Sequence, residues 1–490
     1  MDPRYNNVKN KKMGKNMNGK WLLKVPAYDG GVLSEQDFNI GYGKSIQPKT
    51  QTSRMQLVAK TNAEEYRAYL SKLEKAGYTK IFENQIGNNL HAQFLTEDGS
   101  LYVYFTEKFS EVRVIEDRVS TPIDQFGYTV GEDEGKDTTV IYQYGMMYVT
   151  PQPYENALRD HQAAGMFYII RLADSRLILI DGGWETQATE KSTPEALKFL
   201  YEISGTPAGE KIKIAAVIIT HPHGDHKQFV HNLIRDYSDQ LDIERFCYNI
   251  ASFENIGGHN PTYPDFGALV CEKYPNALFL KPHTGQTFML GDMKVNVMFT
   301  HEDMVLADKA VLSLNEVNNT TVVMKFTIHE KTFMLLGDVG TGTENPNYTI
   351  VEDMRVEGRF LAMYQDVPGS YKPLESDMVQ VSHHAINYRM NDYYFAIRAR
   401  YAMLPGPDMA YEDYPFSFYY RVIHHLITAG AVEILMASRK TQWFEIGRDG
   451  SISIGGEPLR GADDDYLAYL GTFRPFDIKK IPFWIPDTTT

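Results

Sequence analysis

Cysteine is almost absent: Cys247 and Cys271 are the only two in 490 residues. That is too few for a disulfide framework or a cysteine-ligated zinc site, and it fits a reducing compartment. Long apolar runs are missing too. No stretch approaches the about 18 to 20 apolar residues needed to span a bilayer. Met1 to Lys20 is rich in Asn and Lys without an apolar core, so no signal peptide is apparent. The expectation is a soluble cytoplasmic protein with no membrane partner. Positive charge is in deficit, with 49 Lys and Arg against 63 Asp and Glu and a formal net charge of −14. Duplex nucleic acid is held mainly by Lys and Arg on phosphates, so it is not expected as a partner. A small anionic substrate held directly by metal is compatible with that balance. The length suits two or three domains with a substantial core.

Residues 1–19 are polar and aperiodic and read as a flexible tail. Residues 20–118 read as a small α+β domain. Thr61-Asn62-Ala63-Glu64 has the form of a helix capping box, Tyr66, Tyr69, Leu70 and Leu73 then share one face, and Gly77 stops the helix. Strand-like segments follow at Lys80 to Glu83, Leu90 to Leu95, Leu101 to Phe105 and Val112 to Ile115, with Asp98-Gly99 as a hairpin turn. Nothing in this part suggests chemistry. His91 reads as a packed or exposed strand histidine, and Tyr102 and Tyr104 alternate as one sheet face. A role in substrate gating, or in homo-oligomer formation, is open to it. Residues 119–138 are the candidate linker, because Gly131 to Asp137 is charged and punctuated by glycine.

The stretch Thr220-His221-Pro222-His223-Gly224-Asp225-His226 carries the chemistry. It follows the apolar run Ile212 to Ile219, which reads as a buried strand. It precedes Phe229, Val230, Leu233, Ile234 and Tyr237, whose spacing is helical, so the cluster sits on a strand-to-helix loop. Neutral imidazole nitrogen and carboxylate oxygen are common zinc ligands. His221 and His223 can turn toward one ion, while Asp225 and His226 turn toward a second. A histidine-rich surface loop is the bland alternative, but with 14 histidines in the whole chain, three directly after a buried strand disfavour it.

His-x-His-x-Asp-His after an apolar strand resembles the signature of the metallo-β-lactamase superfamily. Three further stretches extend the likeness. Phe333 to Asp338 looks like the family's strand ending in Gly-Asp. Ser376 to His384 looks like the paired-histidine segment of the subgroup of competence-protein hydrolase domains and choline-phosphate esterases. Leu177 to Gly183 looks like the strand and turn that carry a supporting aspartate. The resemblance covers about residues 139–460 and leaves 461–490 as a C-terminal extension. It implies an α/β fold, a metallo-β-lactamase αββα four-layer sandwich, with the small N-terminal α+β domain outside it.

The ligand set it implies is His221 and His223 for a first ion, Asp225, His226 and His383 for a second, and Asp338 bridging. His383 is preferred to His384 because it directly follows the strand Met378 to Val381. His384 is then the candidate for touching substrate, as a leaving-group acid or oxyanion donor, and is grouped with Asp225 as a candidate catalytic residue. Asp181 is expected to support a ligand histidine by hydrogen bonding, since metal-bound imidazoles usually give their second N–H to an oxygen. The sequence departs from the family in two places. Where many relatives have a third histidine for the first ion, Ser313 to Thr320 has none, so that ion is expected to bind more weakly or to recruit an oxygen from Asn315, Glu316 or Asn318. The family's glycine after the paired histidines is Ala385.

The implied cofactors are two divalent metal ions, zinc first, with manganese or iron as alternatives. The implied activity is hydrolysis by a metal-bridging hydroxide, the ions lowering the pKa of water and polarising the oxygen under attack. The subgroup likeness favours a small phosphodiester or phosphoester substrate. The alternatives are an amide, lactone or thioester hydrolase, a non-catalytic metal-binding relative, and an iron-dependent oxygenase built on two histidines and a carboxylate. Other candidates read more plainly. His231 is an exposed helix histidine. His259, His283 and His301 have no spacing partner or lie out of register. His424 and His425 are structural, and the aromatic stretch Tyr411 to Tyr420, with Tyr388, Tyr393 and Tyr394, fits either core packing or stacking on an organic group.

Overall fold

The computed structural model describes residues 20–34, 38–47, 53–131, 135–146, 166–253, 262–306, 317–339, 350–385, 392–405, 418–436 and 440–458. Two large mixed sheets lie face to face. Across the first, the strands run Leu278–Leu280, Arg245–Cys247, Ile212–Ile218, Leu177–Asp181, Phe167–Arg171, Thr138–Gln143, Lys440–Gly447 and Ile452–Pro458. Its Leu177–Asp181 and Ile212–Ile218 strands are parallel, with Ile178 opposite Ala216 and Ile180 opposite Ile218. Across the second run Glu433–Met436, Tyr401–Leu404, Met378–Gln380, Lys331–Leu335, Val323–Ile328, Met293–Phe299, Thr287–Gly291 and Tyr128–Thr129. Here Lys331–Leu335, Met378–Gln380, Tyr401–Leu404 and Glu433–Met436 are parallel neighbours.

Side chains alternate between the two faces of each strand, and the burial follows that period. Ile178, Ile180, Ala216 and Ile218 from the first sheet meet Met324, Phe326, Phe333 and Leu335 from the second in one apolar layer. Leu177, Leu179, Ile214 and Val217 face the other way, onto the helices Ser192–Ser204, Gln228–Tyr237 and Tyr263–Lys273. Met334, Leu336, Val379 and Ala402 face outward from the second sheet, onto Ile350–Tyr364, Asp392–Ile397 and Phe418–Thr428. The architecture is therefore an αββα sandwich.

The N-terminal part is an antiparallel sheet, in order Val32–Leu33, Ser53–Ala59, Glu111–Asp117, Gly99–Thr106, Asn89–Thr96 and Thr79–Ile86, with Phe38–Asn39 on Ser53–Ala59. One face takes the helix Ala63–Lys75, whose Tyr66, Tyr69, Leu70 and Leu73 are buried as their spacing predicts. The cap is Asn62, one residue later than a Thr61 capping box would place it, with its side chain accepting from Glu64 N and Glu65 N. The opposite face, carrying Met55, Leu57, Tyr102 and Tyr104, packs on the sandwich. Of the described part of 119–138, read from sequence as a connector, Ile123–Phe126 is helical and Tyr128–Thr129 pairs with Leu290 and Gly291 at the edge of the second sheet.

A buried polar seam joins the two parts. His283 Nδ1 lies 2.9 Å from Glu302 Oε1, and its Nε2 lies 3.2 Å from Asp117 Oδ2. Lys281 Nζ donates to Ile40 O and Asn249 Oδ1, and Asn249 Nδ2 donates to Glu302 Oε1 at 2.8 Å. Tyr104 Oη donates to Asp303 at 3.0 Å, and Arg113 donates to the carbonyls of Glu302, Asp303 and Val305. No helix among the described residues is long and apolar enough to cross a membrane.

Candidate metal centre

Every element that reaches the centre does so from a strand end. The strand Ile212–Ile218 runs out into the loop of His221, His223, Asp225 and His226; its parallel neighbour ends on Asp181. On the facing sheet, Lys331–Leu335 runs into Gly337-Asp338, and its parallel neighbour Met378–Gln380 into His383-His384. The carboxyl ends of parallel strands are where open α/β sheets place ligands. Two glycines permit the close approach. A Cβ on Gly182 would meet the backbone of Lys227 and Val230 at 3.0 Å, where the helix Gln228–Tyr237 starts on the Gly182 and Gly183 carbonyls. Gly337 has φ +54°, and a Cβ there would come within 2.4 Å of Thr321 Cγ2.

Two groups of ligand atoms result. Asp225, His226, Asp338 and His384 form one, and His221, His223 and Asp338 form the other, the atoms within each lying within 4.8 Å of one another. Asp338 belongs to both. Apart from Asp225 and His223, these residues are buried.

What lies behind three of the rings sets where their protons are. Asp181 Oδ1 accepts from Thr220 N at 2.8 Å, and its Oδ2 accepts from Thr220 Oγ1 and faces His226 Nδ1, each at 2.8 Å. The Thr220 proton is thus committed to Asp181, and Thr220 Oγ1 accepts from His221 Nδ1 at 3.1 Å. His384 Nδ1 lies 3.2 Å from Pro405 O, a carbonyl that can only accept. In each ring the proton sits on Nδ1, and the Nε2 lone pair faces carboxylate oxygen. His226 Nε2 is 3.1 Å from Asp338 Oδ2, His384 Nε2 is 3.2 Å from Asp225 Oδ2 and 3.4 Å from Asp338 Oδ2, and His221 Nε2 is 3.7 Å from Asp338 Oδ2.

Lone pair against carboxylate in a buried setting is repulsive unless positive charge lies between them. A second proton on each ring, or a metal ion, satisfies that demand. At His384 and His226 the electrostatics run the same way, whereas burial and the neighbouring His226 hold His221 well below the ordinary range, so that ring stays neutral. Burial alone would lower His384 and His226, but Asp338 and its fellow carboxylates outweigh it, raising His384 to about 9 and His226 well above the ordinary range. Burial would raise Asp338, and His226 and His384 hold it well below instead. Among the described residues, His221 Nε2, His384 Nε2 and Asp338 Oδ1 are buried without a hydrogen-bond partner. Imidazole nitrogen and carboxylate oxygen are a donor set suited to zinc, manganese or iron. The residues present therefore fit divalent ions.

The paired histidines are exchanged relative to the sequence expectation. His384, expected to face substrate, joins Asp225, His226 and Asp338. His383, expected to complete that set, belongs to neither group: its Nε2 is 4.0 Å from Asp338 Oδ2 and 3.4 Å from Asn318 Nδ2. The reason is backbone. His383, His384 and Ala385 all have positive φ, at 46°, 51° and 63°, so the chain leaves strand geometry at once and the residue directly after the strand is not the one that joins the group. Asn318, in the segment Ser313 to Thr320 that carries no histidine, is buried; its side chain bonds His223 and approaches His383. Asn315 and Glu316 lie outside the described residues, as do His259, Tyr388 and Tyr411 to Pro415.

Tyr263 has no motif to announce it: its hydroxyl donates to the carbonyls of both His221 and His223. His231 is half-buried beside Phe266, and His301 is buried, its Nε2 3.0 Å from Ile40 O.

No known family profile matches the chain, and no curated protein matches it. Solved structures of similar fold include the metallo-β-lactamase fold protein YhfI from Bacillus subtilis, at 14% identity over 65% of this chain and 100% of that one, with a TM-score of 0.33. Human tRNase Z, short form, matches at 13% identity over 61% of this chain and 96% of that one, with a TM-score of 0.29. Zn(2+)-bound PqqB from Methylobacterium extorquens matches at 10% identity over 50% and 72%, with a TM-score of 0.28. The architecture above rests on sheet order and packing, not on these likenesses.

Proposed function

We propose that this chain is a metal-dependent hydrolase of the metallo-β-lactamase superfamily, with two divalent ions, zinc first, acting on a small phosphodiester or phosphoester. One observation carries the reading: two largely buried ligand groups share Asp338, and three imidazoles, each with an acceptor at Nδ1, turn Nε2 toward carboxylates. His221, His223 and Asp338 would hold one ion, and Asp225, His226, Asp338 and His384 the other. Bound divalent ions lower the pKa of water and polarise the oxygen under attack.

The chain's own residues supply the rest. Asp181 and Thr220 keep the protons of His226 and His221 on Nδ1, so both rings meet the centre through Nε2. Pro405 O does the same for His384. His383 has a side chain 15% exposed, against 1% for His384. It is therefore the ring that can meet a substrate oxygen; burial foremost lowers its pKa to about 4, so it is neutral at pH 7 and takes the oxyanion-donor role, one of the two that the sequence suggested for His384.

Zinc, manganese and iron content, followed by assay against bis-nitrophenyl phosphate, a lactone and nitrocefin with His223→Ala as control, tests the reading. Two ions per chain and phosphodiester turnover support it. Lactone or nitrocefin turnover moves the substrate to the runner-up class, and one iron per chain points to oxygen chemistry. No bound metal removes it. Replacing the paired histidines separates their roles: His384→Ala should lose metal, whereas His383→Ala should keep metal and lose about 100-fold in turnover, within the range for removing one oxyanion donor.

A further inference from the structure

The tripeptide His221-Pro222-His223 has a hydrogen-bonding problem. Its His221 carbonyl is buried and its His223 carbonyl partly buried, and Pro222 offers no N–H of its own. The answer comes from a helix distant in sequence. Tyr263, the first residue of Tyr263–Lys273, is fully buried, and its hydroxyl donates to His221 O at 3.0 Å and to His223 O at 2.9 Å. A phenol has one proton to give, so the two carbonyls share it, and the tripeptide is curled around a single oxygen. His223 O also accepts from His226 N at 3.3 Å, which ties the far end of the loop to the same point. The Lys227 ammonium sits 5.5 Å from the centre of the Tyr263 ring, so the tyrosine packs under the loop from His221 to Lys227.

Both imidazoles carried by the curled tripeptide present a nitrogen to the group shared with Asp338. That group has two imidazoles and a shared carboxylate, with no third histidine among the described residues to fix it. Its geometry depends on the backbone angle between residues 221 and 223. We infer that Tyr263 is a positioning residue for the first metal group, setting through its hydroxyl the spread of His221 and His223. This rests on the metal reading above.

Cobalt(II) titration of metal-free protein, followed by visible absorption, separates the two claims. Wild type should bind with d–d bands of nitrogen and oxygen ligands. Tyr263→Phe keeps the ring and removes only the donor. It should weaken the first-group ion by about ten- to a hundred-fold, the usual effect of losing an outer hydrogen-bond partner, and shift the band positions. The ion held by Asp225, His226, Asp338 and His384 should keep its affinity. Wild type with no cobalt bands would end the metal reading and this inference together. Wild type with bands and Tyr263→Phe identical in affinity and spectrum would end the inference alone. Should Tyr263→Phe not fold, Tyr263→Gln and Tyr263→Met give the same comparison at similar size: the amide donor should hold cobalt more tightly than the thioether, and equal affinities would overturn the role.

Discussion

Asp181 belongs to neither ligand group, yet it sets which nitrogen His226 and His221 turn toward the candidate centre. It is buried, takes three short contacts from Thr220 and His226, and sits at φ +57°, a left-handed position for a residue with a side chain. Asp181→Asn keeps the size but places an N–H where one oxygen must accept. His226 then loses the partner that fixes its Nδ1 proton, and zinc affinity should fall by about ten- to a hundred-fold, read by competition with a chromophoric chelator. Unchanged affinity would make Asp181 a purely structural residue. At this scale the sequence was informative where chemistry is local. His221, His223, Asp225 and His226 crowd one short loop, and Asp338 closes an apolar strand, so each was visible. His384 was named too, but as the substrate-facing residue, because His383 directly follows the strand Met378 to Val381; past that strand three successive positive φ values bring His384 instead beside Asp225 and Asp338. Tyr263 was invisible: its partners are carbonyls, which have no residue identity to read.

Among elements, the approach of the strand ends is controlled by small residues. Gly337→Ala adds a Cβ at 2.4 Å from Thr321 Cγ2, on a backbone with φ +54°. The strain of a left-handed non-glycine residue and the overlap together should destabilise by about 1 to 3 kcal/mol, read by urea unfolding. Adding Thr321→Ser removes the methyl and keeps the hydroxyl that accepts from Asp338 N at 3.3 Å, so part of the loss should return. If the double variant is no more stable than Gly337→Ala, backbone conformation alone sets the cost. The strands and helices themselves followed from periodicity, because alternate residues of Leu177–Asp181 and Lys331–Leu335 face two apolar layers. The part of 119–138 that pairs with Leu290 and Gly291 did not, since a strand as short as Tyr128–Thr129 has no period to detect.

For the whole molecule, the N-terminal sheet is bound to the sandwich by charge as well as apolar contact. His283 stands between Glu302 and Asp117, with Lys281 and His301 in the same buried seam. Burial alone would lower the His283 pKa, but Glu302 and Asp117 raise it to about 9, while burial foremost lowers Lys281 to about 8. A histidine raised in the folded state stabilises fully below its unfolded pKa of about 6.5, and that contribution fades as pH rises toward 9. Its size is on the order of 3 kcal/mol. Wild type should therefore exceed His283→Gln in unfolding free energy at pH 6, and the gap should shrink by pH 9, Lys281 being common to both. A gap independent of pH would mean that His283 is neutral in the seam. None of this was legible in the sequence, because Asp117 and His283 are 166 residues apart and neither lies in a motif.

The most direct test of the central claim is anomalous scattering at the zinc edge from crystals grown with zinc. Two peaks are expected, one among Asp225, His226, Asp338 and His384, the other among His221, His223 and Asp338. Zinc bound elsewhere, with neither group showing a peak, would contradict the metal centre and the hydrolytic function built on it.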